Sequence, residues 1–299
     1  MRLAFIINSR IQRLQDFEIQ FRTCDHGLIR NSTRFYTQYP KHAIELSEQA
    51  GEYDIIVAVG GDGTLNEVVN GLMNLETRPS VGLLPYGSAN DFGRERKLTN
   101  KLNAFFKMVD SDCTSPVDVG QIKFPEESRI IHFINIADIG FGADVVYRLS
   151  KNNRWYSRLN SKIKFSIAII RTFFSYSHQY VTVKADDNSW EGKILSVIVA
   201  NSRSFGGGLI IAPEAKISSG KFQLIILGDI SLIDYFIYLK RIRRGDKIRH
   251  SEAFYSESSV VKITGRSNLK VEADGELAGQ LPAEIRCIPK ALNFYCYNQ

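Results

Sequence analysis

Short, unbroken apolar runs alternate with helically spaced ones through the first third of the chain. Leu3 to Ile7, Ile55 to Val59 and Val81 to Leu84 are apolar throughout, the pattern of parallel strands buried on both faces. Between them, His42 to Ala50 and Leu65 to Leu75 have helical spacing. In the second of these, Leu65, Val68, Val69, Leu72 and Met73 fall at i, i+3, i+4, i+7 and i+8 and form one apolar stripe. Thr64 with Glu67 three residues on reads as a capping box, which predicts a helix starting just after Gly63. Strand and helix in strict alternation predict a doubly wound, Rossmann-like α/β domain over residues 1–125.

The texture changes near residue 130. Ile130–Ile136, Tyr180–Lys184, Lys193–Ala200, Phe222–Leu227, Val260–Thr264, Asn268–Ala273 and Glu284–Ile288 read as short strands. Two helical stretches, Ser161 to Ser175 and Leu232 to Arg243, interrupt them. This predicts a mainly antiparallel β-sandwich over residues 126–289, with the boundary in Gln121 to Ser128 and a tail, about 290–299, free to return to the first domain.

The chain has 299 residues, enough for two domains, and 44% of them are hydrophobic, which excludes a disordered or fibrous protein. Thirty-eight Lys and Arg against 32 Asp and Glu leave +6, suited to an anionic partner without selecting one. Cys24, Cys113, Cys287 and Cys296 stand singly, so reduced thiols in the cytoplasm are expected. No apolar stretch reaches the ~18 residues of a spanning helix. The longest, Ile163 to Phe174, carries Lys164 and Arg171. Any membrane contact is then peripheral.

Two loops carry the candidate chemistry. Gly60-Gly61-Asp62-Gly63-Thr64 lies between a buried strand and a helix start, where free N–H groups and the dipole favour an anion. Asp62 beside a phosphate calls for a divalent cation, so a nucleotide polyphosphate with Mg²⁺ is expected. Pro85 to Gly93 (PYGSANDFG) follows the next strand and would open into the same crevice, bringing Asp91 near Asp62. Neither a P-loop nor a GxGxxG fingerprint is present. Gly140-Phe-Gly142 reads as a turn.

The strings GGDGTLNEVVNGL and LLPYGSANDFGR resemble the diacylglycerol kinase catalytic family, the soluble bacterial lipid kinases related to sphingosine and ceramide kinases and, more distantly, NAD kinase. Phe133-Ile-Asn135 with Ile139 to Ala143, Ala200-Asn201 with Gly206 to Gly208 and Ala212-Pro213, and Asp274-Gly275-Glu276 resemble later family segments in the correct order. The resemblance implies an ATP- and Mg²⁺-dependent kinase of a lipid hydroxyl, diacylglycerol foremost. Another lipid (a sphingoid base or phosphatidylglycerol), NAD, or a binding protein without turnover are the alternatives.

By matching motif, Asn8, Thr37, Gly60, Gly61, Asp62, Gly63, Thr64, Leu65, Asn66, Glu67, Ser88 and Asn90 would bind ATP. Asp62 and Asp91 would hold the catalytic Mg²⁺, and Asp274 or Glu276 would be the general base. Two departures stand out. The first loop, Asn8-Ser9-Arg10-Ile11-Gln12, lacks the family's proline and glycine, leaving Arg10 or Arg13 to supply charge. Ser219 replaces the aspartate of a second, structural Mg²⁺ site around Lys216, Ser219 and Lys221, predicting an empty or weak site.

A lipid kinase of this kind implies peripheral contact with a membrane surface. The run Lys240 to His250 reads as a solvated helix end whose cations complement the dipole, with anionic headgroups as the other reading. Phe173 and Phe174 read as core. No nucleic-acid-binding motif is present. A homodimer is compatible with the sequence, which fixes no oligomeric state.

Overall fold

The computed structural model describes residues 1–151, 161–266 and 268–296. Its first half comprises β1 (Leu3–Ile7), α1 (Leu14–Thr23), α2 (Gly27–Arg30), β2 (Thr33–Tyr36), α3 (His42–Gln49), β3 (Ile55–Gly60), α4 (Asp62–Leu72), β4 (Ser80–Pro85), α5 (Asp91–Glu95) and α6 (Leu102–Asp110). Strands pair in parallel in the order β2-β1-β3-β4. Every residue of β1 and β3 is buried, which is why their sequences do not alternate.

Right-handed crossovers in this order put α1 on one face and α3 with α4 on the other. Phe17 and Phe21 of α1 accordingly meet Phe5 of β1 at 5.8 and 5.5 Å between ring centres. On the opposite face α3 and α4 approach so closely that a Cβ at Gly71 would collide with Ser47 Oγ and the Ile44 carbonyl. The order in which strands are added reverses between β1 and β3, and the crevice at their carboxyl ends is the place where such sheets bind ligands.

The second half comprises β5 (Thr114–Phe124), β6 (Arg129–Phe133), β7 (Ile136–Gly140), α7 (Phe141–Ser150), α8 (Ser161–Ser175), β8 (Gln179–Ala185), β9 (Asn188–Ile194), β10 (Ser196–Ala200) and β11 (Phe222–Leu227). Then come α9 (Leu232–Ile242), β12 (Ala253–Ser258), β13 (Val260–Gly265), β14 (Lys270–Ala273), β15 (Glu276–Gln280) and β16 (Ala283–Tyr295). One sheet runs β12-β11-β10-β7-β14-β15 with antiparallel pairing throughout.

The other sheet continues the first domain. β16 pairs in parallel with β4 at Phe294–Val81, and antiparallel with β13 at Ile285–Val261 and with β5 along most of its length. Residues 125–128, where the sequence places a boundary, form the turn of the β5–β6 hairpin. Leu292, Phe294, Tyr295 and Cys296 pack in the first domain's core; residues 297–299 of the tail lie outside the described residues.

Ile122, Phe133, Val183, Val199, Leu224 and Ile285 fill the space between the two sheets. The outer face of the second sheet is covered by α7, α8 and α9. Its central strands are therefore buried on both faces, and IADIG, SVIVA and FQLIIL are mainly apolar without strict alternation although their pairing is antiparallel. Among the described residues no helix is long and apolar enough to cross a membrane.

Several sequence expectations are corrected. Ile130–Ile136 is split between β6 and β7, and Lys193–Ala200 between β9 and β10, because the chain changes sheets at Asn135 and at Leu195. Gly140 is the strand-to-helix junction before α7, held at φ 123°. Helix α4 begins at Asp62 with Gly61 as its N-cap and has no capping box. Phe174 is 82% exposed, not core.

Gly71→Ala should destabilise the protein by about 2 kcal/mol, the cost of overpacking two helices in backbone contact. A urea midpoint lowered at constant slope is the expected reading, and an unchanged midpoint would deny that contact.

Candidate active site

The crevice is built from loops that bind one another before they bind any ligand. Asn8 N–H, just past β1, donates to Val59 O, and its side-chain amide donates to Thr64 Oγ1 at 3.0 Å. Thr37 N–H donates to Ile7 O, and Ser9 Oγ donates to Thr37 O, so the ends of β1 and β2 are tied together. Tyr86 N–H donates to Gly60 O at 2.7 Å. A Cβ on Gly61 would lie 2.9 Å from Gly87 Cα, so here the two glycine loops cross backbone against backbone. Asn90, at φ 50°, closes its own loop by bonding Gly87 N–H and O.

Asp62 accepts from the N–H groups of Asp91 and Phe92 at 3.0 and 3.2 Å, capping α5 from a neighbouring loop. Burial and the nearby Asp91 charge push its carboxyl above the usual range, partly offset by these N–H donors. Asp91 is itself buried, bonded to Arg94 and to Gly207 N–H of the second domain. Glu95 accepts from Arg203 N–H in the same way, so α5 clamps the turn at 203–207.

Three residues of the glycine-loop helix are engaged, two of them with neighbouring elements. Leu65 is fully buried and its N–H donates to Gly61 O. Glu67 accepts from Lys41 and Ala43 N–H, capping α3. Asn66 donates to His132 O and to Asp274 Oδ2. What remains at the mouth of α4 is the N–H pair of Gly63 and Thr64, which the helix start leaves free of helical acceptors.

Facing that mouth is the turn between β14 and β15. Asp274 accepts from Ile134, Asn135 and Ile136 N–H at 2.8 to 3.1 Å and from the Asn66 amide at 2.8 Å, which occupies both oxygens. Burial raises it to about 6 against those donors. Glu276 is exposed, and its side chain has no hydrogen-bond or ion-pair partner among the described residues. Its Oε1 is 4.0 Å from the point where a Cβ would stand on Gly63. The late acidic pair therefore does reach the amino-terminal crevice, with one member saturated and the other open.

Ser88 lies with Arg13, Pro85, Asn90, Arg94 and Thr99 around an adjoining cleft of about 350 Å³. At the remaining candidate site, Ser219 Oγ stands 2.9 Å from the carbonyl oxygens of both Lys216 and Lys221, occupying the space between them. Among the described residues no group of three or more His, Cys, Asp or Glu is arranged to hold a metal.

The sequence reading misses three features. Asn70 bonds His132 N–H and O, adding to Asn66 a second tie from α4 to β6. Two asparagines at i and i+4 on an apolar helix were the available signal. Asp118, fully buried, accepts from Gly220 and Lys290 N–H. Behind the β14–β15 turn, Asp138 and Glu272 are cross-strand partners, and Glu272 accepts from Gly275 N–H. Burial raises both, Asp138 to about 7.

The chain also matches known proteins. Residues 12–122 match the diacylglycerol kinase catalytic domain, and residues 137–296 match the YegS C-terminal NAD kinase beta sandwich-like domain. A diacylglycerol kinase of Staphylococcus haemolyticus is 32% identical over 237 residues, 78% of this chain and 68% of that protein. The chain belongs to the diacylglycerol kinase family. As a member of it, the chain is a lipid kinase.

The Bacillus subtilis diacylglycerol kinase is 29% identical over 78% of this chain and 75% of its own length. A solved diacylglycerol kinase structure from Bacillus anthracis superposes with TM-score 0.73 at 19% identity, covering 99% of this chain and 97% of that one. An NAD kinase from Archaeoglobus fulgidus, solved in complex with ATP, shares the two-domain fold at TM-score 0.55 and 13% identity, covering 99% and 93%.

The buried acids make stability pH-dependent in a stated direction. Asp138 near 7 and Asp274 near 6 lie above the ordinary carboxylate value, so the native state favours their neutral forms. That contribution is complete below about pH 4 and is lost as pH rises through 6 to 7. Melting temperature should fall from pH 5 to pH 8, and Asp138→Asn, neutral throughout, should reduce the fall. Identical slopes for the two proteins would contradict the assignment.

Proposed function

We propose that this lipid kinase transfers the terminal phosphoryl group of ATP, with Mg²⁺, to the hydroxyl of diacylglycerol, giving phosphatidic acid. The observation that carries the reading is the open Glu276 carboxylate facing the start of α4 across the crevice. Phosphoryl transfer needs donors for the phosphate charge and a carboxylate to orient and deprotonate the attacking alcohol. The Gly63 and Thr64 N–H groups with the α4 dipole supply the first, and Glu276 supplies the second. Asp274, with both oxygens taken by N–H groups, holds the turn that presents Glu276.

Asp62 fits a Mg²⁺ ion. Each oxygen takes one N–H and keeps a lone pair, and Mg²⁺ is commonly held by one or two carboxylates plus substrate phosphates. Asp91 adds charge behind it. When bound, the ion would neutralise phosphate charge. The oxygens at Ser219 are a hydroxyl and two backbone carbonyls, with no carboxylate to offset the charge of Mg²⁺, so no second ion enters the mechanism. Ser88, Asn90 and Arg13 line the adjoining cleft, where the nucleoside would lie. Thr37 and Asn8 act by holding the first loop in place. A lipid acceptor brings the enzyme to the membrane surface as a peripheral protein.

Glu276→Gln should lower kcat by about 10²- to 10⁴-fold with nucleotide affinity and melting temperature retained. Asp274→Asn should lower activity and melting temperature together, because an amide NH₂ would face N–H donors. Full turnover in Glu276→Gln would remove the base. Ser219→Asp should place a carboxylate between the two carbonyls and add Mg²⁺-dependent thermal stabilisation that the parent lacks. Unchanged melting across a Mg²⁺ titration of Ser219→Asp would refute that prediction.

A further inference from the structure

Helices α8 and α9 lie together on the outer face of the second sheet, with Phe173 and Phe236 in contact at 5.4 Å between ring centres. Away from the sheet both helices expose large apolar side chains. On α8 these are Ile163 (49%), Ile170 (55%) and Phe174 (82%), and on α9 they are Ile233 (65%) and Ile237 (66%). Positions 163, 170 and 174 follow i, i+7, i+11, one face of a helix, and 233 and 237 follow i, i+4. The α9 stripe runs on into Lys240 and Arg241 and then, past the helix end, Arg244. None of these three cations has a carboxylate partner within ion-pair distance among the described residues, and all are exposed. Asp234 at the other end of α9 is engaged with Ser231.

We propose that the α8–α9 face is the surface on which this enzyme docks to an anionic lipid bilayer. Phe174, Ile170, Ile233 and Ile237 would seat at the headgroup boundary, and Lys240, Arg241 and Arg244 would contact lipid phosphates. The proposal rests on the lipid-kinase reading, since a membrane-borne acceptor gives the face its use. The fold places it suitably. α8 packs on α7, and α7 packs on β14 and β15, the hairpin that carries Glu276, so a bilayer on this face lies beside the proposed acceptor site.

Charge selects the occupant. A two-fold contact with a second copy would bring two sets of unpaired Lys240, Arg241 and Arg244 to one interface, whereas an anionic surface pairs with them. A nucleic acid would satisfy the cations but leave the five apolar side chains without a partner.

Sedimentation of the full chain with vesicles tests this, using neutral phosphatidylcholine vesicles and vesicles containing phosphatidylglycerol, at low and at ~0.5 M salt. Binding should be strong only on the anionic vesicles and should weaken in salt. The triple change Lys240→Ala, Arg241→Ala, Arg244→Ala should cost about five-fold per residue. Phe174→Gln with Ile237→Gln should cost roughly tenfold or more, with the melting temperature retained.

Both variants should phosphorylate a short-chain diacylglycerol in detergent micelles at the parent rate. Parent protein that turns over this substrate but ignores anionic vesicles would overturn the docking face and leave the kinase reading standing. Vesicle binding lost in the variants as described, with no turnover of any lipid by the parent, would keep the face and overturn the kinase reading. A concentration-dependent dimer abolished by Phe174→Gln with Ile237→Gln, without vesicle binding, would assign the face to a second copy and overturn the proposal.

Discussion

The structure depends on how one buried carboxylate is satisfied. Asp274 has both oxygens filled by three successive backbone N–H groups and by the Asn66 amide. Those donors come from the segment between β6 and β7 and from α4, so a single side chain joins the two sheets and the helix behind the glycine loop. Removing one partner from such a charge-assisted cluster costs about 1–3 kcal/mol, since a buried polar group loses its hydrogen bond. Burial nevertheless holds this carboxyl near 6, above an ordinary aspartate, although the four donors favour its charged form. Glu276, two residues on, owes its position across from Gly63 to that anchor.

The crevice follows the same logic on its other side. Asp62 caps α5, Glu67 caps α3, and Asn8 reaches Thr64, so the first two turns of α4 order three neighbouring elements. The loop's anion-binding capacity rests on the few N–H groups these ties leave open at the start of α4. In the proposed mechanism, phosphate binding and loop construction draw on one stretch of sequence for different atoms. On that proposal, a five-residue glycine string serves as a tight turn and as a ligand site at once.

Much of this is legible in the sequence, and the illegible part has a physical cause. Unbroken apolar runs located β1, β3 and β4, and Phe222–Leu227 matches β11 residue for residue. Sheet membership was hidden because strands buried on both faces look alike in either sheet; the switches at Asn135 and Leu195 leave no mark in hydrophobicity. β5 was missed because Pro116, Asp118 and Gly120 mimic a loop, while Asp118 in fact serves buried N–H groups from distant turns. The glycine loop and the late acidic turn were legible as motifs. Their division of labour was not, because the partners of Asn66 and Glu67 lie 208 and 24–26 positions away. The apparent capping box failed for that reason: Glu67 finds its N–H donors in another helix.

A crystal structure with a non-hydrolysable ATP analogue is the most direct test of the central claim, that one crevice presents α4 donors and Glu276 to the same phosphoryl group. The account predicts the terminal phosphate within hydrogen-bond reach of Gly63 or Thr64 N–H, with Glu276 on the side from which an alcohol would approach. A triphosphate bound away from the start of α4, or on the far side of α5 from Glu276, would contradict it.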